Sequence, residues 1–215
     1  MNGAHSDEQN NGERVDERFV FAIGDPCPFP YPPYPEIDPL GELEPFRRAM
    51  WAFMQEHNRW VMVAVGELER TVELDSDIEM VYQELPCAIR CIAGGVAVRV
   101  LFAESGFDLI VAPPGTPWEQ AFEAEDDFMF QRSLAEGRLT LVSQPADARV
   151  VCAIQEWGYR HGSASVTLPA TQVIGVLRAF LADLMRRAVE AGYIGAAGSA
   201  PCWRSATSSL HEQPG

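Results

Sequence analysis

Residues 96–112 read VAVRVLFAESGFDLIVA, and the reading of this stretch decides the fold. Two runs rich in Val, Leu, Ile and Phe, 96–103 and 107–112, are separated by a break containing Ser105-Gly106. β-Branched and aromatic residues favour extended backbone, and a short Gly-containing break turns one strand back on the next. Strands joined in this way pair antiparallel. Further strands are expected at 19–23, 60–65, 139–143, 150–155 and 164–168, the last two connected through turn residues at 159–163.

Helices come in separated blocks rather than in strict alternation with the strands. The clearest spans 169–191, where Val173, Val176, Leu177, Phe180, Leu181, Leu184, Met185, Ala188 and Val189 recur at helical spacing. Pro169 suits its first turn, Arg186 and Arg187 its negative end, and Gly192 its termination. A second helix starts near Pro45 and gathers Phe46, Ala49, Met50, Phe53 and Met54 on one face. A third starts at the capping box Ser76-Asp77-Ile78-Glu79, with Pro86 expected to kink or restart it. Thr116-Pro117-Trp118-Glu119 is a similar box and predicts a fourth helix reaching about Ala135. The expected class is α+β: a single, largely antiparallel sheet with about four helices packed mainly on one face.

The chain of 215 residues carries 16 basic side chains, all Arg, against 31 carboxylates, for a net charge of −15. The absence of Lys excludes Schiff-base, P-loop and kinase-type lysine chemistry. The net charge argues against nucleic acid as a partner. Residues 1–17 read as a disordered acidic tail, 18–195 as one domain, and 196–215 as a second disordered tail. Eight prolines between Asp25 and Pro45 make a stiff proline-rich strap. It reads either as a strap packed on its own domain or as a ligand for an aromatic groove, and solubility favours the first. Five scattered Cys without a C-x-x-C suit reduced thiols, no apolar run reaches membrane-spanning length, and the N-terminus carries no signal-peptide pattern. The expectation is a cytoplasmic protein without membrane association.

Nucleophile-elbow, zincin, dinucleotide-binding and EF-hand motifs are all missing from the sequence. Cys87 and Cys91 lie one helical turn apart and read as buried small residues, since no second pair completes a tetrahedral zinc site. His57 suits the C-terminal end of a helix, and His161 falls in a turn. No metal or cofactor is called for.

Carboxylates form the one dense constellation. Glu119, Glu123, Asp126 and Asp127 would share one face of the fourth helix, and 104–127 carries seven acids without an Arg. Trp157, at a strand end, would border a groove. These five residues mark a candidate docking surface for a basic protein partner. In size, acidity and class the chain resembles bacterial immunity-type inhibitors, a likeness of shape and charge that no motif carries. The alternative is a carboxylate-dependent hydrolase, with or without the help of a metal, using Glu67, Glu69 or Asp75, the two Glu lying in an evenly spaced row with Glu73.

Overall fold

The computed structural model describes residues 17–26, 44–57, 59–74, 77–158 and 163–193. The proline-rich strap, His161, Asp75 and both tails therefore lie wholly or mostly outside the described residues. The class is α+β, but with two sheets where one was expected. Strands β1 (Phe19–Pro26), β2 (Arg59–Val65) and β3 (Leu68–Val72) form an antiparallel sheet in that order. The second sheet has five strands in the order β6 (Phe122–Glu123), β4 (Val98–Phe102), β5 (Phe107–Ala112), β7 (Arg149–Glu156), β8 (Ser163–Pro169). Among the described residues only the short β4–β6 pair is parallel. Side-chain alternation shows which face of a strand is buried and not which strand lies beside it, so the division into two sheets left no mark in the pattern.

The hairpin at 98–112 forms as expected, with Val98 opposite Val111 and Phe102 opposite Phe107. Gly106 takes a φ of 72° in its turn, a conformation that favours glycine. The segment 139–143 is not a strand. It runs as irregular chain across the end of the long second helix, where Val142 N–H donates to the Gly94 carbonyl at 2.9 Å. A Cβ on Gly94 would stand 2.7 Å from Leu141 Cδ2, so the segment seats only because position 94 has no side chain.

Helix α1 (Pro45–His57) buries Phe46, Ala49, Met50, Phe53 and Met54, the expected face, and His57 ends it. The Glu44 carboxylate caps it, accepting from the amides of Phe46 at 2.8 Å and Arg47 at 3.1 Å. Helix α2 (Asp77–Ala93) runs unbroken through Pro86. Helix α3 (Asp127–Ala135) has nine residues, and α4 (Ala170–Glu190) has 21. All four contribute to one continuous apolar core with the inner faces of both sheets. Phe21 of β1 ties the parts together, its ring 4.4 Å from Phe180 of α4 and 6.0 Å from Phe102 of β4. Arg70 of β3 adds a second tie, donating to Glu156 of β7 through Nε at 2.7 Å. Among the described residues no helix is long and apolar enough to cross a membrane.

Asp77 opens α2 and is 3% exposed. Its two carboxylate oxygens accept from the backbone amides of Glu104 and Ser105, each at 2.9 Å, and from the Ser105 hydroxyl. The start of α2 is thereby fastened to the β4–β5 turn. Asp77→Ala would strand two amides at that turn and is expected to lower the unfolding free energy by about 2–4 kcal/mol. Urea unfolding measures this, and a loss under about 0.5 kcal/mol, the scale of an ordinary surface substitution, would contradict it.

Candidate functional site

Strand β5 is buried on both sides. Phe107, Leu109 and Val111 enter the main core, whereas Asp108, Ile110 and Ala112 point to the other, outer face of the five-stranded sheet. Short side chains floor that face. Ala97, Ala112 and Ala153 surround Ile110, and Trp118 and Ala121 pack against them as partly buried residues. The covering therefore comes from the segment after β5, and the four helices put their buried residues on the opposite side.

The same segment overturns the expected acidic helix. Instead of one helix from Thr116, the chain makes a single 3-10 turn at Trp118–Gln120, then β6, then α3. Glu119 lies in the turn, Glu123 on the strand, Asp126 at the cap of α3 and Asp127 at its first position, so the four acids share no helix face. The helix cap lies ten residues beyond the expected Thr116, at Asp126. Asp126 accepts from Met129 N–H at 2.9 Å, and the run Trp118 to Ala124 is drawn out of any longer helix because Trp118 and Ala121 pack on the outer face of the sheet while Phe122 and Ala124 reach the main core.

Two residues singled out in the sequence, Trp157 and Glu123, are nevertheless linked through two others. Trp157, just past β7, donates from its indole Nε1 to Asp108 Oδ1 at 2.9 Å. Arg99 of β4 lies 4.0 Å from Asp108 Oδ2 and reaches Glu123 Oε2 at 3.1 Å. The result is a line across the outer face, Trp157–Asp108–Arg99–Glu123, whose two middle members sequence reasoning missed. Asp108 is 6% exposed and Trp157 is 42% exposed, so the indole is held from beneath while one side stays open to solvent. Burial pushes the Asp108 carboxyl above its ordinary value, while the Trp157 hydrogen bond and Arg99 pull it down. The other acids have structural duties as well. Asp127 pairs with Arg90 at 2.7 Å, and Arg90 lies over the Phe130 ring, 3.9 Å from its centre.

At the β6 end of the sheet the negative charge is less well compensated. The Glu84 carboxyl of α2 is pushed up to about 7 by burial first, then by the charges of Glu123 and Asp126. The row considered for hydrolysis is more ordinary. Glu67 is exposed in the turn between β2 and β3, and Glu69 is exposed and paired with Arg18 at 2.9 Å. Trp51 and Trp118 are partly buried, and Trp157 is more open than either.

A carboxyl whose pKa is raised by folding holds its proton more tightly in the folded chain. The contribution of Glu84 to stability is complete below about pH 4.5 and is lost as pH rises through about 7. Glu84→Gln is therefore expected to gain on the parent protein across this window, reaching on the order of 1–2 kcal/mol at about pH 8. Urea unfolding of both proteins from about pH 4 to 8 measures the difference, and a difference independent of pH would refute the assignment. The chain matches no protein-family model, no curated protein and no solved structure.

Proposed function

We propose that this protein is a non-catalytic binding domain that docks a basic protein partner across the outer face of its five-stranded sheet, as an immunity-type inhibitor would. The observation that supports this reading best is the Trp157 indole, open to solvent yet fixed by its 2.9 Å bond to Asp108. A flat aromatic surface held in one orientation loses little conformational freedom on binding, which is why Trp recurs at the centres of interfaces. At the other end of the line of contacts, Glu123 of the edge strand β6 is exposed, as is Asp126 three residues on. Their repulsion with Glu84 would be relieved by an incoming Arg or Lys. The aromatic ring would supply contact area, and the acidic edge would supply orientation and a faster encounter.

The docking residues in this proposal are Trp157, Glu123 and Asp126, with Glu119 at the rim. Asp127 serves α3 through Arg90. The hydrolase alternative keeps only Glu67, Glu69 and Asp75, and no geometry among the described residues favours it over binding.

The proposal is tested by retention of proteins from an extract of the native host on the immobilised chain. A basic protein is expected to be held at low salt and released at high salt. Glu123→Gln combined with Trp157→Ala should weaken its binding by at least roughly tenfold, whereas Met80→Ala, on α2, should not. A partner held equally well by both variants, or no salt-sensitive partner at all, would defeat the proposal.

A further inference from the structure

Among the described residues the sheets end at β1 and β3 and at β6 and β8. A strand with one side unpaired invites another chain unless something guards it. Every edge but β8 is guarded. β6 has two residues, one of them the exposed Glu123. β3 carries Glu69 and Arg70, and β1 carries Asp25, Pro26 and a register shift between Ile23 and Pro26. β8 has seven residues, no charged side chain, proline only at its last position, and an unbroken register against β7.

The β7–β8 ladder shows which groups of β8 face away from β7. Ala170 N–H donates to the Ala148 carbonyl at 2.8 Å and so continues the ladder by one pair. Direction alternates along an antiparallel strand. Leu168, Val166 and Ala164 therefore bond to β7, whereas Thr167, Ser165 and Ser163 turn their N–H and C=O groups to the free side. The same alternation buries Val166 and Leu168 and exposes Ser163, Ser165 and Thr167. Arg149 donates to the Thr167 carbonyl at 2.6 Å.

We propose that β8 is a homodimer edge, on which two copies of the chain pair antiparallel with Ser165 opposite Ser165 on a two-fold axis. Ser163 then lies opposite Thr167 of the second copy, and each outward amide meets an outward carbonyl. Pro169, which has no N–H to give, stays outside the pairing. Hydroxyl side chains face one another on one side of the joined sheet, and Ala164 faces Val166 on the other, so no charge opposes a like charge. Arg149 gives up the Thr167 carbonyl to the Ser163 amide of the second copy. The occupant is a second copy because of where the acids lie. A chain of net charge −15 repels its like over most of its surface, but from Trp157 to Ala182 its sequence has no Asp or Glu. The first turns of α4, directly after β8, expose Thr171, Gln172, Gly175 and Ala179, none of them charged. A two-fold pairing uses the edge of both copies and stops at two chains. It leaves the outer face of the sheet open and stands apart from the docking proposed there.

The test uses the full chain with Cys27→Ser and Cys202→Ser, which removes the thiols outside the described residues. In sedimentation equilibrium under reducing conditions the mass is expected to approach two chains by about 1 mM protein, the weak end of specific association. Ser165→Lys, which sets two positive charges against each other on the axis, should hold the mass at one chain with an unchanged circular dichroism spectrum. Thr71→Lys, at an exposed position of β3, should leave the dimer intact. Ser165→Cys should link two chains on mild oxidation, since a hydrogen-bonded pair has Cα atoms about 5.5 Å apart and a disulfide spans about 4.4–6.8 Å. Ser163→Cys should not, because residue 163 lies opposite 167 and far from its own copy. A mass of one chain at the highest concentration, a dimer indifferent to Ser165→Lys, or linkage through Ser163→Cys in place of Ser165→Cys would each overturn the proposal.

Discussion

The ring of Phe21 is where the parts of this molecule meet. Strand β1 belongs to the small sheet, Phe102 to the large one and Phe180 to the longest helix, and all three rings come together at 4.4 to 6.0 Å. Phe107 stacks on Phe102 from the next strand, with ring centres 4.5 Å apart. Among the described residues no hydrogen-bonded ladder joins the two sheets, and apolar contact holds them together, with Arg70 and Glu156 fixing one margin. Because this core uses up the inner faces of both sheets, the outer face of the large one is left to a separate, much smaller cluster. Placement of the candidate site follows from that division.

Strong periodicity was legible and long-range pairing was not. Strand β5 occupies the stretch read for it, 107–112, and α4 differs from its reading by one residue at each end. Both are long or uniformly apolar, so their burial could be read without knowing a neighbour. Strand β3, Leu68–Val72, escaped because LERTV has a charged residue on each face. Glu69 points out to Arg18, and Arg70 turns inward to meet Glu156, a partner 86 residues away. Pro86 was expected to interrupt α2, yet the helix continues because Leu85, Cys87, Ala88 and Ile89 are all held in the core around it. Burial there outweighs one missing hydrogen bond.

The candidate site was half visible for the same reason. Trp157 and the acids announced themselves by type and density. Asp108 and Arg99 sit inside apolar strands and looked like isolated interruptions, and only the register that sets Arg99 beside Glu123 and Leu101 beside Asp108 turns them into a chain of contacts. The charge count behaves similarly. A total of −15 describes the whole chain, whereas the structure distributes its Arg residues one by one to carboxylates, as with Arg99, Arg90, Arg70 and Arg187. The guanidinium fork suits this work better than a lysine ammonium, because it can address two acceptors at fixed angles. The surplus that survives is local, at the end of the sheet where Glu84, Glu123 and Asp126 gather.

Gly94 has a wider bearing than its size suggests. The irregular segment from Leu139 to Ala148 has no ladder and no helix to hold its course, so its path is set by the shape of what it crosses. Leu141 rests where a side chain of residue 94 would otherwise be, and Gln144 covers Gly95 in the same way. The two positions and the segment therefore form a lock and its counterpart within one chain. Variation at Gly94 is not independent of variation at Leu141: any gain of volume just past the end of α2 must be matched by a retreat of the segment. Such a segment can drift in sequence elsewhere along its length while keeping a single route over the surface.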